Sequence, residues 1–77
     1  MERMYCGRVY SSQRFDDTLA GCAGLDLAII VGQERKGAAR VTYWDATGQY
    51  VVETFREVPL QILEELIAET KQSVGVE

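Results

Sequence analysis

Residues 38–56 read AARVTYWDATGQYVVETFR. Two runs rich in β-branched and aromatic residues flank the polar segment DATG at 45–48, and this composition suits a pleated, half-buried surface. Asp at the first position of that segment and Gly at the last is type I turn chemistry, with Gly48 in the left-handed conformation. The stretch therefore predicts a β-hairpin with strands over 38–44 and 49–56.

Loop length sets which side chains meet. With four loop residues, Trp44 faces Gln49, Tyr43 faces Tyr50, Val41 faces Val52 and Ala39 faces Thr54. Arg40 then faces Glu53 and Thr42 faces Val51. A three-residue loop closed by Asp45 and Gln49 instead brings Trp44 to Tyr50 and moves Glu53 to the apolar side. The four-residue loop is preferred because it keeps Glu53 off the core face. It also offers an Arg40–Glu53 ion pair and a Tyr43–Tyr50 pair, each worth a few tenths to about 1 kcal/mol.

Downstream, 59–73 carries the clearest helical signal. Pro59, Ile62, Leu63, Leu66, Ile67 and Thr70 form one stripe, with Gln61, Glu64, Glu65, Ala68 and Glu69 opposite. Pro59 suits the first helical position, Lys71 the negative end, and Gly75 the stop. A helix of this length is weak alone, so it is expected to dock on the sheet.

Upstream, LDLAIIV at 25–31 predicts a strand, with Leu25, Leu27, Ile29 and Val31 on one face and Ala28 and Ile30 on the other. GQERKG then makes a charged turn in which Gly37 can supply a positive φ. A further strand is expected over 4–10, interrupted by Gly7, with Tyr5 and Val9 on one side and Met4, Cys6 and Tyr10 on the other. Residues 11–24 read as a loop, or as a short helix over 17–22 capped by Asp16, with Phe15 packing back on Ala20. The expected fold class is α+β: a three- to four-stranded antiparallel meander with one C-terminal amphipathic helix packed on one face. Seventy-seven residues make a single domain, 1–77.

A chain this short has a marginal core, and small domains compensate with disulfides, a metal or a partner chain. The chain has two cysteines and no histidine. Cys6 and Cys22 are therefore read as small buried hydrophobes in a reducing compartment, with a Cys6–Cys22 bridge as the alternative. No metal and no cofactor are expected. The N-terminus lacks the apolar core of a signal peptide, and LAIIV at 27–31 is too short to span a bilayer. The expected location is the cytoplasm, with no membrane association.

The chain carries a net charge of −4. Residues 1–56 balance seven basic against seven acidic side chains, so the excess lies in 57–77. This argues against a general nucleic-acid binder, which clusters positive charge to displace counterions. Arg3, Arg8 and Arg14, interleaved with Tyr5 and Tyr10, form the best basic-aromatic patch for RNA or single strands. GCAG at 21–24 matches the spacing of a GXXG nucleic-acid loop but lacks its basic flanks.

No catalytic group stands out. Asp16-Asp17 and Glu64-Glu65 are sequence neighbours that do not converge on one cleft, and the serines and cysteines lack a histidine base. The hairpin leaves a different signal. Trp44, Val51, Phe55 and Ile30 do not all share the face that the helix covers, and an apolar patch of this kind marks an interaction site. The leading expectation is a non-catalytic interaction module that forms a homodimer through these four residues. Closure of a small barrel by 11–24 and the N-terminal strand is the competing expectation. The acidic outer face of helix 59–73 could meet a basic partner. A small apolar or cationic ligand held by Tyr43, Trp44 and Tyr50 is the remaining alternative.

Overall fold

The computed structural model describes residues 1–74. Five strands, β1 (Glu2–Tyr5), β2 (Arg8–Asp17), β3 (Cys22–Val31), β4 (Glu34–Trp44) and β5 (Gln49–Thr54), pair antiparallel in chain order. One helix, α1 (Leu60–Ser73), packs on one face. The α+β class and the antiparallel meander hold, and the strand count rises to five.

The extra strand comes from the N-terminus. Residues 4–10 do not form one strand: Cys6 and Gly7 both take positive φ, 52° and 77°, and make a two-residue hairpin turn between Tyr5 and Arg8. Such turns need positive φ at both central positions, which Gly7 accepts without strain. The reversal puts Tyr5 and Tyr10 on the same face, not on opposite faces. Residues 11–17 continue β2 to Asp17, so neither the loop nor the short helix is present. Asp17, not Asp16, organises the following turn: its side chain accepts from the Ala20 N–H at 3.1 Å. The expected positive φ at Gly37 belongs instead to Gly32, and Gly37 lies in β4 beside a register shift opposite Leu27 and Ala28.

The 38–55 hairpin has the four-residue register: Trp44 faces Gln49, Tyr43 faces Tyr50 and Arg40 faces Glu53. Gly48 has φ 68° and its N–H donates to the Trp44 carbonyl at 2.8 Å. A Cβ in that conformation clashes with the following carbonyl, so Gly48→Ala is expected to lower the unfolding free energy by about 1–2 kcal/mol, read from the urea midpoint.

Residues opposite one another across a ladder share a face, which assigns both sides of the sheet. The covered side carries Tyr10, Leu25, Leu27, Ile29, Ala39 and Val41, which pack with Ile62 and Leu66 of α1. Thr70 is also fully buried, and its hydroxyl donates to the Leu66 carbonyl at 2.7 Å. Pro59 is the N-cap residue rather than the first helical one. The expected stop at Gly75 lies outside the described residues.

Polar side chains of the sheet clamp the helix along its length. Arg3 pairs with Glu65. The Met1 ammonium donates to Ser12 Oγ at 2.7 Å and to Glu69 Oε2 at 2.9 Å. At the far end Arg14 donates to the Ser73 carbonyl at 2.8 Å and the Tyr50 hydroxyl to the Val74 carbonyl at 2.9 Å. The last carbonyls of a helix have no partner within it, so these two side chains satisfy groups that helix geometry leaves free. No helix among the described residues is long and apolar enough to cross a membrane.

Candidate interaction surface

The side of the sheet away from α1 has no cover from the described residues. β1 and β2 extend the sheet instead of folding over it, so the barrel expected as an alternative is not formed. Its rungs follow from the pairing. Met4, Val9, Ile30 and Arg35 lie at the end that holds the Cys6–Gly7 turn. Glu2, Ser11, Ala28 and Gly37 come next, then Gln13, Asp26, Arg40 and Glu53. Phe15, Gly24, Thr42 and Val51 follow, and Asp17, Cys22, Trp44 and Gln49 close the far end.

All four residues expected at the interface meet on this side. Trp44, Val51 and Phe55 expose 38%, 40% and 59% of their surface, and Ile30 is half-buried. Phe55 lies beside Gly37 and extends the β5 edge of the face. Met4 and Phe15 join them, and neither stood out in the sequence, because their facing depended on turns at Cys6–Gly7 and after Asp17.

Charge crosses this face along one rung. Arg40 does not close on Glu53, its register neighbour, as the sequence suggested. Its Nε donates to Asp26 Oδ1 at 2.5 Å, and its guanidinium lies 4.5 Å from the Phe15 ring centre. The Asp26 hydrogen bond pushes the Arg40 pKa further above its ordinary value, so this charge persists at any physiological pH. The Asp26–Arg40 pair thus lies beside aromatic surface, and Glu53 at the β5 end of the rung has no ion-pair partner among the described residues.

The other sequence candidates disperse. Arg3, Arg8 and Arg14 all point to the helix side, where Arg3 is engaged by Glu65, and Arg14 by Asp16 and the Ser73 carbonyl. Tyr10 is buried in the core. The three arginines with their tyrosines therefore form no open patch. The Tyr43 and Tyr50 rings pack on the helix side with centres 4.9 Å apart and planes tilted by 51°, and Lys71 lies 5.8 Å over Tyr50. The sheet separates them from Trp44, so the three do not wall one ligand pocket. Gly21 lies in a turn and Gly24 inside β3, so GCAG is not a nucleic-acid loop. Cys6 is exposed in its turn, Cys22 is half-buried, and both are free thiols. Of the acidic helix face, Glu65 and Glu69 turn to the sheet and Glu64 stays exposed.

Among the described residues no group of three metal-ligating His, Cys, Asp or Glu side chains comes together. Comparison with protein families, curated proteins and solved structures finds no match for this chain.

Proposed function

We propose that this chain is a non-catalytic interaction module that pairs with a second copy of itself through the uncovered face of its sheet. The observation that carries the reading is the gathering of Met4, Phe15, Ile30, Trp44, Val51 and Phe55 on one face with no cover from the described residues. The rung of Gln13, Asp26, Arg40 and Glu53 divides this apolar surface into two parts, and exposed apolar surface of that kind marks an association site. From strand spacing and rise, the rungs span roughly 26 Å by 19 Å, or about 500 Å² on each copy. The pair buries about 1,000 Å² in all, the lower bound of a specific interface.

Charge and size complementarity favour a second copy as the occupant. A two-fold axis between the sheets, parallel to the strands and midway between β3 and β4, sets Asp26 over the partner's Arg40. It also sets Trp44 over the partner's Cys22 and Phe15 over the partner's Val51, large against small. Buried charges must be paired, and this arrangement doubles the Asp26–Arg40 contact without leaving either unpartnered. Two-fold pairing is also the commonest assembly of soluble chains.

Sedimentation equilibrium at micromolar concentration is expected to return a dimer mass, and Val51→Lys a monomer with an unchanged far-UV spectrum. Trp44 is the only tryptophan, so its emission is expected to shift to the red as the wild-type dimer is diluted. A wild-type chain that remains monomeric at high micromolar concentration rules the proposal out.

A further inference from the structure

The helix side carries a second feature, at the end where α1 begins. Two clefts open there, of about 560 Å³ and 470 Å³, and Arg8 lines both. Lys36 and Arg56 line the second, which has no carboxylate in its wall. These three cations come from β2, from β4 and from the segment before α1, and only the meander brings them together. Among the described residues, Arg8, Lys36 and Arg56 form no ion pair. Arg56 donates its Nε to the Gly37 carbonyl at 2.9 Å, which holds the guanidinium in place and leaves its terminal nitrogens available.

A second observation is independent of the charges. Tyr10 is 1% exposed and lines the first cleft. Its hydroxyl bonds to no other described residue, yet no fully enclosed side-chain polar atom among the described residues lacks a partner. The hydroxyl therefore opens onto the cleft, where it can donate to a ligand. Pro59 also lines this cleft, and the first turn of α1 has neither a side-chain cap nor an acidic residue. Its free N–H groups and positive dipole end add to the same potential. Glu57 is the one carboxylate among the residues that line the first cleft.

We propose that this paired cleft binds a phosphate monoester. Arg8, Lys36 and Arg56 hold the phosphoryl oxygens, the Tyr10 hydroxyl donates to one of them, and Val31 and Val58 pack against the esterified group. Arginine offers the fork that matches phosphoryl oxygens, and lysine adds a point charge. The cations and Tyr10 sit on the helix side, while Val9 and Ile30, which also line the second cleft, belong to the opposite face, so the site borders the proposed pairing surface and the titration is repeated on the Val51→Lys chain.

The test follows amide chemical shifts of the full chain during titration with inorganic phosphate and with phenyl phosphate at fixed ionic strength. Saturable shifts are expected at Gly32, Lys36, Arg56 and Leu60, with phenyl phosphate the tighter ligand. Arg8→Gln and Lys36→Gln each weaken binding about tenfold, as expected for loss of one charge-assisted hydrogen bond. Tyr10→Phe weakens it severalfold. Arg35→Gln, which changes a cation on the opposite face, leaves it unchanged. The proposal falls if the shifts do not saturate, or if Arg35→Gln weakens binding as much as Arg8→Gln. A phenyl phosphate affinity no greater than that of inorganic phosphate overturns the monoester assignment.

Discussion

Leu66→Ala is expected to lower the unfolding free energy by about 2–5 kcal/mol. Leu66 is fully buried at the centre of the α1 stripe, beside Ile62 and against the apolar side of the sheet. Truncation removes its transfer free energy and leaves a cavity that five hydrogen-bonded strands cannot readily fill. A domain of this size has a total stability of roughly 4–12 kcal/mol, so the change takes a large share of it. Urea unfolding followed by circular dichroism measures the effect. Leu60→Ala, on the exposed first residue of the same helix, is the control and is expected to change stability by less than about 0.5 kcal/mol. A Leu66→Ala loss under 1 kcal/mol would mean that α1 does not hold the sheet as described.

Gly24→Ala is expected to be as damaging, for a different reason. A Cβ at Gly24 stands 1.9 Å from the Val41 carbonyl oxygen and 3.0 Å from the Thr42 Cα, both backbone atoms of the next strand. No rotamer relieves that overlap. β3 and β4 must separate, which strains the central ladder and costs on the order of 3 kcal/mol or more. Gly37→Ala is the matched control. Its Cβ meets only the Phe55 ring, at an ordinary 3.9 Å, and its φ is not positive. Restricting the unfolded chain there is expected to leave stability unchanged or raise it by up to about 1 kcal/mol. Equal melting temperatures for the two variants would contradict the close β3–β4 approach.

Both central strands thus serve two faces. Leu25, Leu27 and Val41 hold the helix, while Gly24, Asp26, Arg40 and Trp44 shape the uncovered side. If that side pairs with a second copy, Gly24→Ala is expected to disturb association as well, whereas Leu66→Ala acts on the fold alone. Leu66→Ala, which acts on the fold, and Val51→Lys, which acts on pairing, therefore separate the two losses.

Periodicity and turn chemistry carried much of the fold. The hairpin register was legible because Gly48 closes a loop of defined length and because one alternative buried Glu53. The helix was legible because its apolar residues recur at helical spacing. The N-terminal hairpin was not read, although Gly7 was noticed, because Cys6 is not a residue that advertises positive φ. Strand β2 was missed because SSQRFDD is polar. Its polarity reflects its role: Ser12 and Arg14 bond to α1, and Gln13 and Asp17 face away from the core.

The shared face of Trp44, Val51, Phe55 and Ile30 was legible from alternation alone, since a period of two places each side chain once the register is known. Met4 and Phe15 needed the turns. The basic cleft was not visible in the sequence. Arg8 was grouped with Arg3 and Arg14 by proximity in the chain, whereas the meander brings it to Lys36 and Arg56.

Local rules thus determined the 38–55 hairpin, the α1 stripe and the presence of a second apolar side, because each depends on neighbours within a few residues. Tertiary structure alone decided that five strands lie in one open sheet and that Arg40 turns to Asp26 instead of Glu53. It also decided that three distant cations meet at the start of α1. Those outcomes rest on contacts between residues far apart in sequence. Their geometry follows from where the chain reverses, and a single turn at Cys6–Gly7 is enough to change which side chains share a face.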